Sequence, residues 1–168
     1  MLSISKLEFR IVGFLVRHFS SRFTIRDIAS KLSISAPGCH AALKKLERNG
    51  FVRAEKLGTG LFYEVSLEKS LARHLVGISL LSYADVSLSL DVNCKTAFSD
   101  GKKVIVVSDD DVEEEVRKQV SLEVVVVSVE ELKEALADKG SLVSSVFRNS
   151  NVLQGEDVVI EVIKELGR

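Results

Sequence analysis

The chain has 168 residues, of which 46% are hydrophobic and 28% are charged. This composition predicts one ordinary folded domain or two small ones and excludes a disordered chain. Apolar runs such as Val124–Val127 are far too short to cross a bilayer, and the start "MLSISKLEFR" is not typical of a signal peptide. The cysteines and histidines have no metal-ligand spacing, so we expect a cytoplasmic protein with reduced thiols and without a membrane, metal or cofactor site.

Charge is divided unevenly between the two halves of the chain. From Met1 to Leu75, thirteen basic residues stand against six acidic ones, a net charge of +7. From Val76 to Arg168, ten basic residues stand against eighteen acidic ones, a net charge of −8. This asymmetry predicts two modules, of which the first is suited to a polyanion and the second is not.

Two amphipathic helices are predicted at the start of the chain. Apolar residues recur on one helical stripe over Lys6–Phe19. Thr24 is placed to cap a second, shorter helix, with Asp27 three residues on as an approximate capping box. The apolar face of this helix consists of Ile25, Ile28, Ala29 and Leu32. Ser33 and Ile34 then predict a turn.

A third helix and a β-hairpin follow this turn. The helix opens at Ser35 or Ala36, tolerates Pro37 in its first turn and stops at Asn49-Gly50. The alternating segments "FVRAEK" and "LFYEVSL" predict two strands. Between them, Leu57-Gly58-Thr59-Gly60 is a hairpin signal.

This order of elements resembles the winged helix-turn-helix regulators of bacteria and archaea. The most specific part of the resemblance is "IASKLSIS" followed by "HAALKKLERNGFV", and the resemblance covers roughly the first seventy residues. Winged helices also serve as protein–protein modules, but the net charge of +7 in this half favours double-stranded DNA as the partner.

The resemblance implies that the exposed N-terminal part of the third helix meets base edges in the major groove. His40 is the side chain best suited to read a base, whereas Lys44 is better suited to a phosphate. Cys39 is expected to face the core rather than to act as a redox sensor. The candidate DNA contacts are Thr24, Arg26, Ser35, Pro37, Gly38, His40, Ala41, Lys44, Arg53, Lys56 and Thr59, with Ala36 on the same face of the third helix. We expect a steep salt dependence and modest base discrimination.

A further helix is predicted over Ser70–Ala84, with apolar residues in a row along it. They are Leu71, Leu75, Ile78 and Leu81. Two interpretations remain open: the helix links the two modules and pairs with a second copy of the chain, as winged-helix proteins often pair through such a helix, or it packs on its own domain. We place the domain boundary before it, which gives a winged helix-turn-helix domain over residues 1–69 and a second domain over residues 70–168.

The sequence of the second domain predicts three strands and four helices. Asp85–Val92 alternates strictly, as a half-buried strand does, and "KVIVVS" and "LEVVVVS" predict two more deeply buried strands. Between the last two, "DDDVEEEVRKQ" predicts a helix capped by Ser108 or Asp109, with its acids favourably placed against the helix dipole. Three more helices are predicted over "VEELKEALADKG", "SLVSSVFRN" and "GEDVVIEVIKEL". Gly140 closes the first of them.

This part of the chain resembles the minimal nucleotidyltransferase domains of archaea and bacteria. The resemblance rests on the order β-β-α-β-α-α-α and is best in the tail, where Asn151–Glu156 is similar to the closing motif of those domains. The predicted fold class is therefore α+β, with a winged helix-turn-helix followed by a small mixed-sheet α/β nucleotidyltransferase-like domain.

The motifs that an active nucleotidyltransferase requires are incomplete in this sequence. The family uses a Gly-Ser motif for the triphosphate and three acids that bind two Mg²⁺ ions for in-line transfer. Here no glycine occurs near the first strand until Gly101, and the residue two positions after Asp100 is Lys102. On the third strand, Glu123 is the one suitable acid. The resemblance therefore implies a fold that has lost catalysis.

The sequence supports one main hypothesis and two alternatives. The main hypothesis is a homodimeric DNA-binding transcriptional regulator that is not an enzyme. Its second domain would serve dimerisation or bind a small molecule or a protein partner. The alternatives are an active nucleotidyltransferase that uses Asp100 and Glu123, and an antitoxin-like protein with a helical toxin as its partner.

Overall fold

The computed structural model of the protein describes residues 3–82 and 88–167. The chain forms two compact units, Met1–Ser79 and Leu80–Arg168. This division falls inside a helix that the sequence analysis placed wholly in the second domain. The α+β fold class is confirmed, with helices and a two-stranded wing followed by a small mixed sheet. In the ranges described, no helix is long and apolar enough to cross a membrane.

The first unit contains three helices, one hairpin and most of a fourth helix, which crosses the boundary between the units. In chain order they are α1 (Lys6–Arg17), α2 (Ile25–Leu32), α3 (Ala36–Asn49), β1 (Val52–Leu57), β2 (Gly60–Val65) and α4 (Ser70–Leu81). Apolar side chains of α1, α2 and α3 form the core, and Ile11, Ile28 and Leu43 are fully buried in it. The elements predicted for this unit are confirmed, although the first helix ends two residues earlier than expected, at Arg17.

A turn connects α2 and α3, and a hairpin forms the wing, both as predicted. Ser33 adopts the left-handed conformation (φ 54°) and its amide donates to the carbonyls of Ala29 and Ser30. In the wing, antiparallel pairing runs from Val52 opposite Val65 to Leu57 opposite Gly60. The loop therefore consists of two residues, and its first, Gly58, has the positive φ of 59° that such tight turns require.

Helix α4 buries one face and exposes Leu71, Ile78 and Leu81 of the predicted apolar row, whereas Leu75 is half-buried. Ala72, Val76 and Ser79 are buried, whereas Leu71 and Ile78 are 53% and 57% exposed. The buried guanidinium of Arg17, at the end of α1, donates to the Ser79 carbonyl at 3.2 Å. This hydrogen bond joins α4 to the end of α1, and the buried side chains of α4 lie on the face opposite its apolar row. The predicted residues beyond Ser82 lie outside the described residues.

The second unit contains a four-stranded mixed sheet. Its elements are β3 (Thr96–Ser99), β4 (Lys103–Val107), α5 (Glu113–Gln119), β5 (Glu123–Val127), α6 (Val129–Ala137), α7 (Leu142–Arg148), β6 (Asn151–Gln154) and α8 (Glu156–Leu166). The strand order is β5-β4-β3-β6, in which only the β4–β5 pair is parallel. Side chains alternate between the two faces of the sheet. Val104 and Val106 pack with α5, and on the other side Phe98 meets Phe147 of α7 edge to face.

The prediction of a strand over Asp85–Val92 was wrong where it can be examined. Residues 85–87 lie outside the described residues, and Leu88–Val92 is not a strand. Leu88 and Leu90 instead pack against the apolar cluster on the α5 side of the sheet without strand pairing. Their alternation reflects this half-burial. The strand that pairs antiparallel with β4 is β3, for which the sequence analysis predicted no strand.

The helix after β4 is shorter than predicted, and the aspartates do not belong to it. Helix α5 begins at Glu113, and Val112 precedes it without a side-chain cap. The hydroxyl of Ser108 accepts from the amide of Asp110, and Asp109 forms an ion pair with Lys95. The prediction that Ser108 or Asp109 caps this helix was therefore wrong. Local turn bonds and an ion pair hold these side chains outside the helix.

The tail contains one strand that the sequence analysis did not assign. Strand β6 pairs antiparallel with β3 and leads into Gly155, whose φ is 70°. Helix α6 ends at Ala137 rather than at Gly140. Helices α7 and α8 occur where they were predicted.

Candidate nucleic-acid interface

Helix α3 has one buried and one exposed face. Cys39, Leu43 and Leu46 are almost completely buried on the inner face, and burial raises the pKa of the Cys39 thiol. This agrees with the prediction of a structural thiol. On the outer face, His40 and Lys44 are exposed. They are four positions apart and therefore neighbours on the helix surface.

The N-terminus of α3 is fixed by a side-chain cap. The hydroxyl of Ser35 accepts a hydrogen bond from the amide of Gly38 at 3.2 Å, and Pro37 occupies the first turn. A Cβ atom on residue 38 would lie 2.9 Å from the Ser35 oxygen, so glycine permits the close approach that the cap requires. Ser35 and Gly38 therefore have a structural role in addition to their predicted place at the interface.

Thr24 and Arg26, predicted as phosphate contacts, lie at the start of α2. The Thr24 hydroxyl donates to the Asp27 carboxylate at 2.7 Å and accepts from the Asp27 amide. These hydrogen bonds from Thr24 lower the pKa of the Asp27 carboxyl, which stays negatively charged at neutral pH. The Thr24 hydroxyl is thus engaged in its capping box, whereas the Arg26 side chain is exposed.

The wing presents Arg53, Lys56 and Thr59 on exposed positions. Arg53 forms ion pairs with Glu64 on the opposite strand and, at 3.9 Å, with Glu68. Exposed pairs of this kind contribute about 0–1 kcal/mol, so a phosphate can compete for the guanidinium. Lys56 lies nearer the turn, and Thr59 is in the turn itself.

Two contacts that the sequence analysis missed hold α1 against the helix-turn-helix. The Lys45 ammonium lies 3.0 Å from the buried Glu8 carboxylate and also donates to the Ser3 carbonyl. Burial alone would raise the pKa of Glu8, but hydrogen bonds from Ser5 and Lys45 lower it. Arg10 donates to the carbonyl of Leu32 at the end of α2. The Ser5–Glu8 spacing is a capping-box signal, whereas no local pattern indicates the contact with Lys45.

The exposed basic surface extends beyond the predicted residues. Lys31 near the end of α2 and Arg48 near the end of α3 are exposed. Arg22 is exposed and lies 3.6 Å from Glu55 of the wing. Their charges contribute to the +7 of this half, which is the signal that could have identified them.

The arrangement of three helices with a capped third helix and a two-stranded wing defines the first unit as a winged helix-turn-helix. Residues 2–59 match the model of the MarR family. The N-terminal domain is therefore a MarR-family winged helix. A comparison of the chain with curated proteins finds no match.

The two acids of the alternative catalytic hypothesis are engaged in local contacts. The Asp100 carboxylate accepts from the amides of Lys102 and Lys103 in the β3–β4 turn. Glu123 forms an ion pair with Lys103. Within residues 3–82 and 88–167, no group of three or more acidic, histidine or cysteine side chains is arranged to hold a metal ion.

Proposed function

We propose that the protein is a transcriptional regulator that binds double-stranded DNA, with α3 in the major groove and the wing against the backbone. The observation that carries the proposal is the exposed face of α3, with His40 and Lys44, on a MarR-family winged helix with a net charge of +7 in its half of the chain. Two further exposed cations are Arg26 on α2, before α3 in the chain, and Lys56 on the wing, after it. This surface is complementary to a phosphate backbone.

A DNA titration tests this proposal. Fluorescence anisotropy with duplex DNA at increasing salt should give a steep fall in affinity. Lys44→Ala should reduce the slope of log affinity against log salt by about one, because one phosphate contact is lost. The matched control is Lys118→Ala, which removes an exposed lysine of the second unit and should leave the slope unchanged. Undetectable DNA binding, or a flat salt response, would contradict the proposal.

The proposal includes a homodimer that pairs through α4. MarR-family winged helices usually act as dimers, and α4 exposes an apolar row that includes Leu71 and Ile78. A two-fold dimer would present two copies of α3 to two half-sites on the DNA. Sedimentation of the full chain measures the oligomeric state.

For the second domain, we propose a non-catalytic nucleotidyltransferase-like module that binds a small molecule or a protein partner. The observed order β-β-α-β-α-α-β-α is similar to the predicted one, although its first strand is β3 rather than the Asp85–Val92 segment and β6 is added. Asp100 and Glu123 are engaged in turn and ion-pair contacts. Calorimetry with ATP and Mg²⁺ tests this. Tight binding that requires Mg²⁺ and is abolished by Asp100→Ala would favour an active enzyme instead.

A further inference from the structure

Few hydrogen-bonding side chains project from the N-terminal half of the exposed face of α3. The Ser35 hydroxyl accepts from the Gly38 amide and has one proton left to donate, which suits a phosphate at the helix start. His40 is the side chain in the first two turns whose ring can reach a base edge. The remaining exposed side chains of these turns are Ala36, Pro37 and Ala41.

These three side chains form a small apolar surface on the part of the helix that would face the groove. Positions 37 and 41, like positions 36 and 40, are four residues apart and lie side by side on a helix. In the major groove, the base edges present hydrogen-bonding groups for every base pair and one apolar group, the 5-methyl of thymine. An apolar surface in that groove therefore has one chemical partner among the four bases.

The charged residues around this surface are consistent with DNA as its occupant. Exposed cations stand on α2 (Arg26), one turn further along α3 (Lys44) and on the wing (Lys56). Exposed acids also occur in these elements, with Asp27 on α2 and Glu47 on α3. The apolar side chains lie between Ser35 and Lys44 in the sequence, where phosphate contacts on either side would position them over base edges.

We infer that α3 reads thymine 5-methyl groups through the apolar surface of Ala36, Pro37 and Ala41, so that the bound sequences contain thymines at fixed positions beside the base contacted by His40. This inference rests on the proposed function, because it requires α3 to enter the major groove. The earlier expectation was modest base discrimination, and this inference replaces it by a preference for thymine at particular positions. Discrimination depends on methyl groups more than on hydrogen bonds.

The test begins with the full-length protein and a pool of random DNA duplexes. Duplexes that the protein selects are synthesised again with uracil in place of thymine at each position of the footprint. Uracil differs from thymine by the missing methyl group alone. We expect affinity to fall about fourfold at each contacted thymine, the effect of removing one buried methyl-sized group. Uracil outside the footprint is the control within the DNA.

Ala41→Ser provides the matching change in the protein, because it replaces the methyl group by a small polar side chain. The preference for thymine over uracil at one or two positions should then decrease to less than twofold, while the affinity for uracil-containing duplexes should remain unchanged. Ala137→Ser, at an exposed alanine of the second unit, should leave the preference unchanged. An unaltered melting temperature shows that each variant is folded.

The outcomes separate this inference from the function on which it rests. If the protein selects no duplex, the proposed DNA binding fails and the inference fails with it. If duplexes are selected and uracil has no effect at any position, DNA binding stands and the inference is overturned. A thymine preference that Ala41→Ser leaves intact would also overturn the assignment to this surface.

Discussion

At the scale of single residues, Glu8 and Lys45 show how charge holds α3 against α1. Glu8 completes the capping box of α1 through Ser5 and meets Lys45 of α3. Lys45 points to the side of α3 where Glu8 and Ser3 lie, whereas Lys44, its neighbour in the sequence, is exposed. Two adjacent lysines therefore differ in environment: Lys45 pairs with Glu8, whereas Lys44 is exposed to solvent.

Glu8→Gln should reduce the stability of the first unit in a pH-dependent way. Glutamine keeps the capping acceptor but loses the charge, so we expect a loss of about 1 kcal/mol at pH 7. The folded-state pKa of Glu8 is lowered from its ordinary value of 4.5. The stabilisation is therefore present above pH 4.5 and disappears as the pH falls through the lowered pKa. Urea unfolding at pH 7 and at pH 3 measures it, and a difference between the proteins that is equal at both pH values would contradict this assignment.

Two glycines with positive φ give a matched pair of substitutions. At Gly155 (φ 70°), a Cβ atom would lie 2.0 Å from the carbonyl oxygen of Lys95, whereas at Gly58 (φ 59°) it would meet nothing within 4 Å. Gly58→Ala should cost about 1–2 kcal/mol, the cost of the left-handed conformation. Gly155→Ala should cost roughly 3 kcal/mol or more, because the backbones of β3 and the α8 entry must separate. Chemical unfolding of both variants checks this order, and equal losses would show that the close contact with Lys95 is easily relieved.

At the scale of elements, N-caps allow folding and DNA binding to be separated. Ser35→Asp retains an acceptor for the Gly38 amide, and aspartate caps helices about as well as serine. Stability should therefore change by less than about 0.5 kcal/mol. The new negative charge would face the phosphates, so DNA affinity should fall roughly tenfold or more.

The control is Ser128→Asp, at the N-cap of α6 in the second unit. It should leave both stability and DNA affinity close to those of the unmodified protein. Anisotropy titrations and thermal unfolding of the two variants are the measurements. Equal DNA affinities for Ser35→Asp and Ser128→Asp would place the start of α3 away from the DNA.

The first unit could be predicted from the sequence because its signals are local. Thr24, Ser35 and Gly50 mark helix ends, and Gly58 marks the hairpin, each through the conformation of one or two residues. The face of α3 followed from helical periodicity, and Cys39 is buried as its position predicted. The contact of Lys45 with Glu8 depends on tertiary structure and has no such signal.

The second unit was predicted less completely for the same physical reason. Strands β4 and β5 are buried apolar runs and were recognised. Strand β3 has four residues between a coil and a turn formed by Asp100 and Gly101, too short for alternation to identify. The alternating Leu88 and Leu90 pack against the sheet without pairing, because alternation reports half-burial and not hydrogen bonding.

At the scale of the whole molecule, helix α4 has one buried and one exposed face. Ala72 and Val76 are buried, whereas Leu71, Ile78 and Leu81 are exposed. Spacings of three and four residues along this row are those of a helix-pairing seam. Two copies related by a two-fold axis would bring the same row of each chain together. The Arg17–Ser79 hydrogen bond fixes the helix to the winged helix, so this pairing would set the distance between the two copies of α3.

Ile78→Glu should therefore convert the protein to a monomer, because the seam would bury one carboxylate of each copy without a partner. Its side chain is exposed in the single chain, so folding of the unit should be preserved. The control Leu142→Glu changes an apolar side chain of the second unit that is 47% exposed, and it should leave the oligomeric state unchanged. Sedimentation velocity at several concentrations separates the two cases. If Ile78→Glu remains dimeric, the dimer does not use α4. If the variant is monomeric, its affinity for a selected duplex with two half-sites should approach its affinity for a duplex with one half-site, because two linked copies no longer bind together.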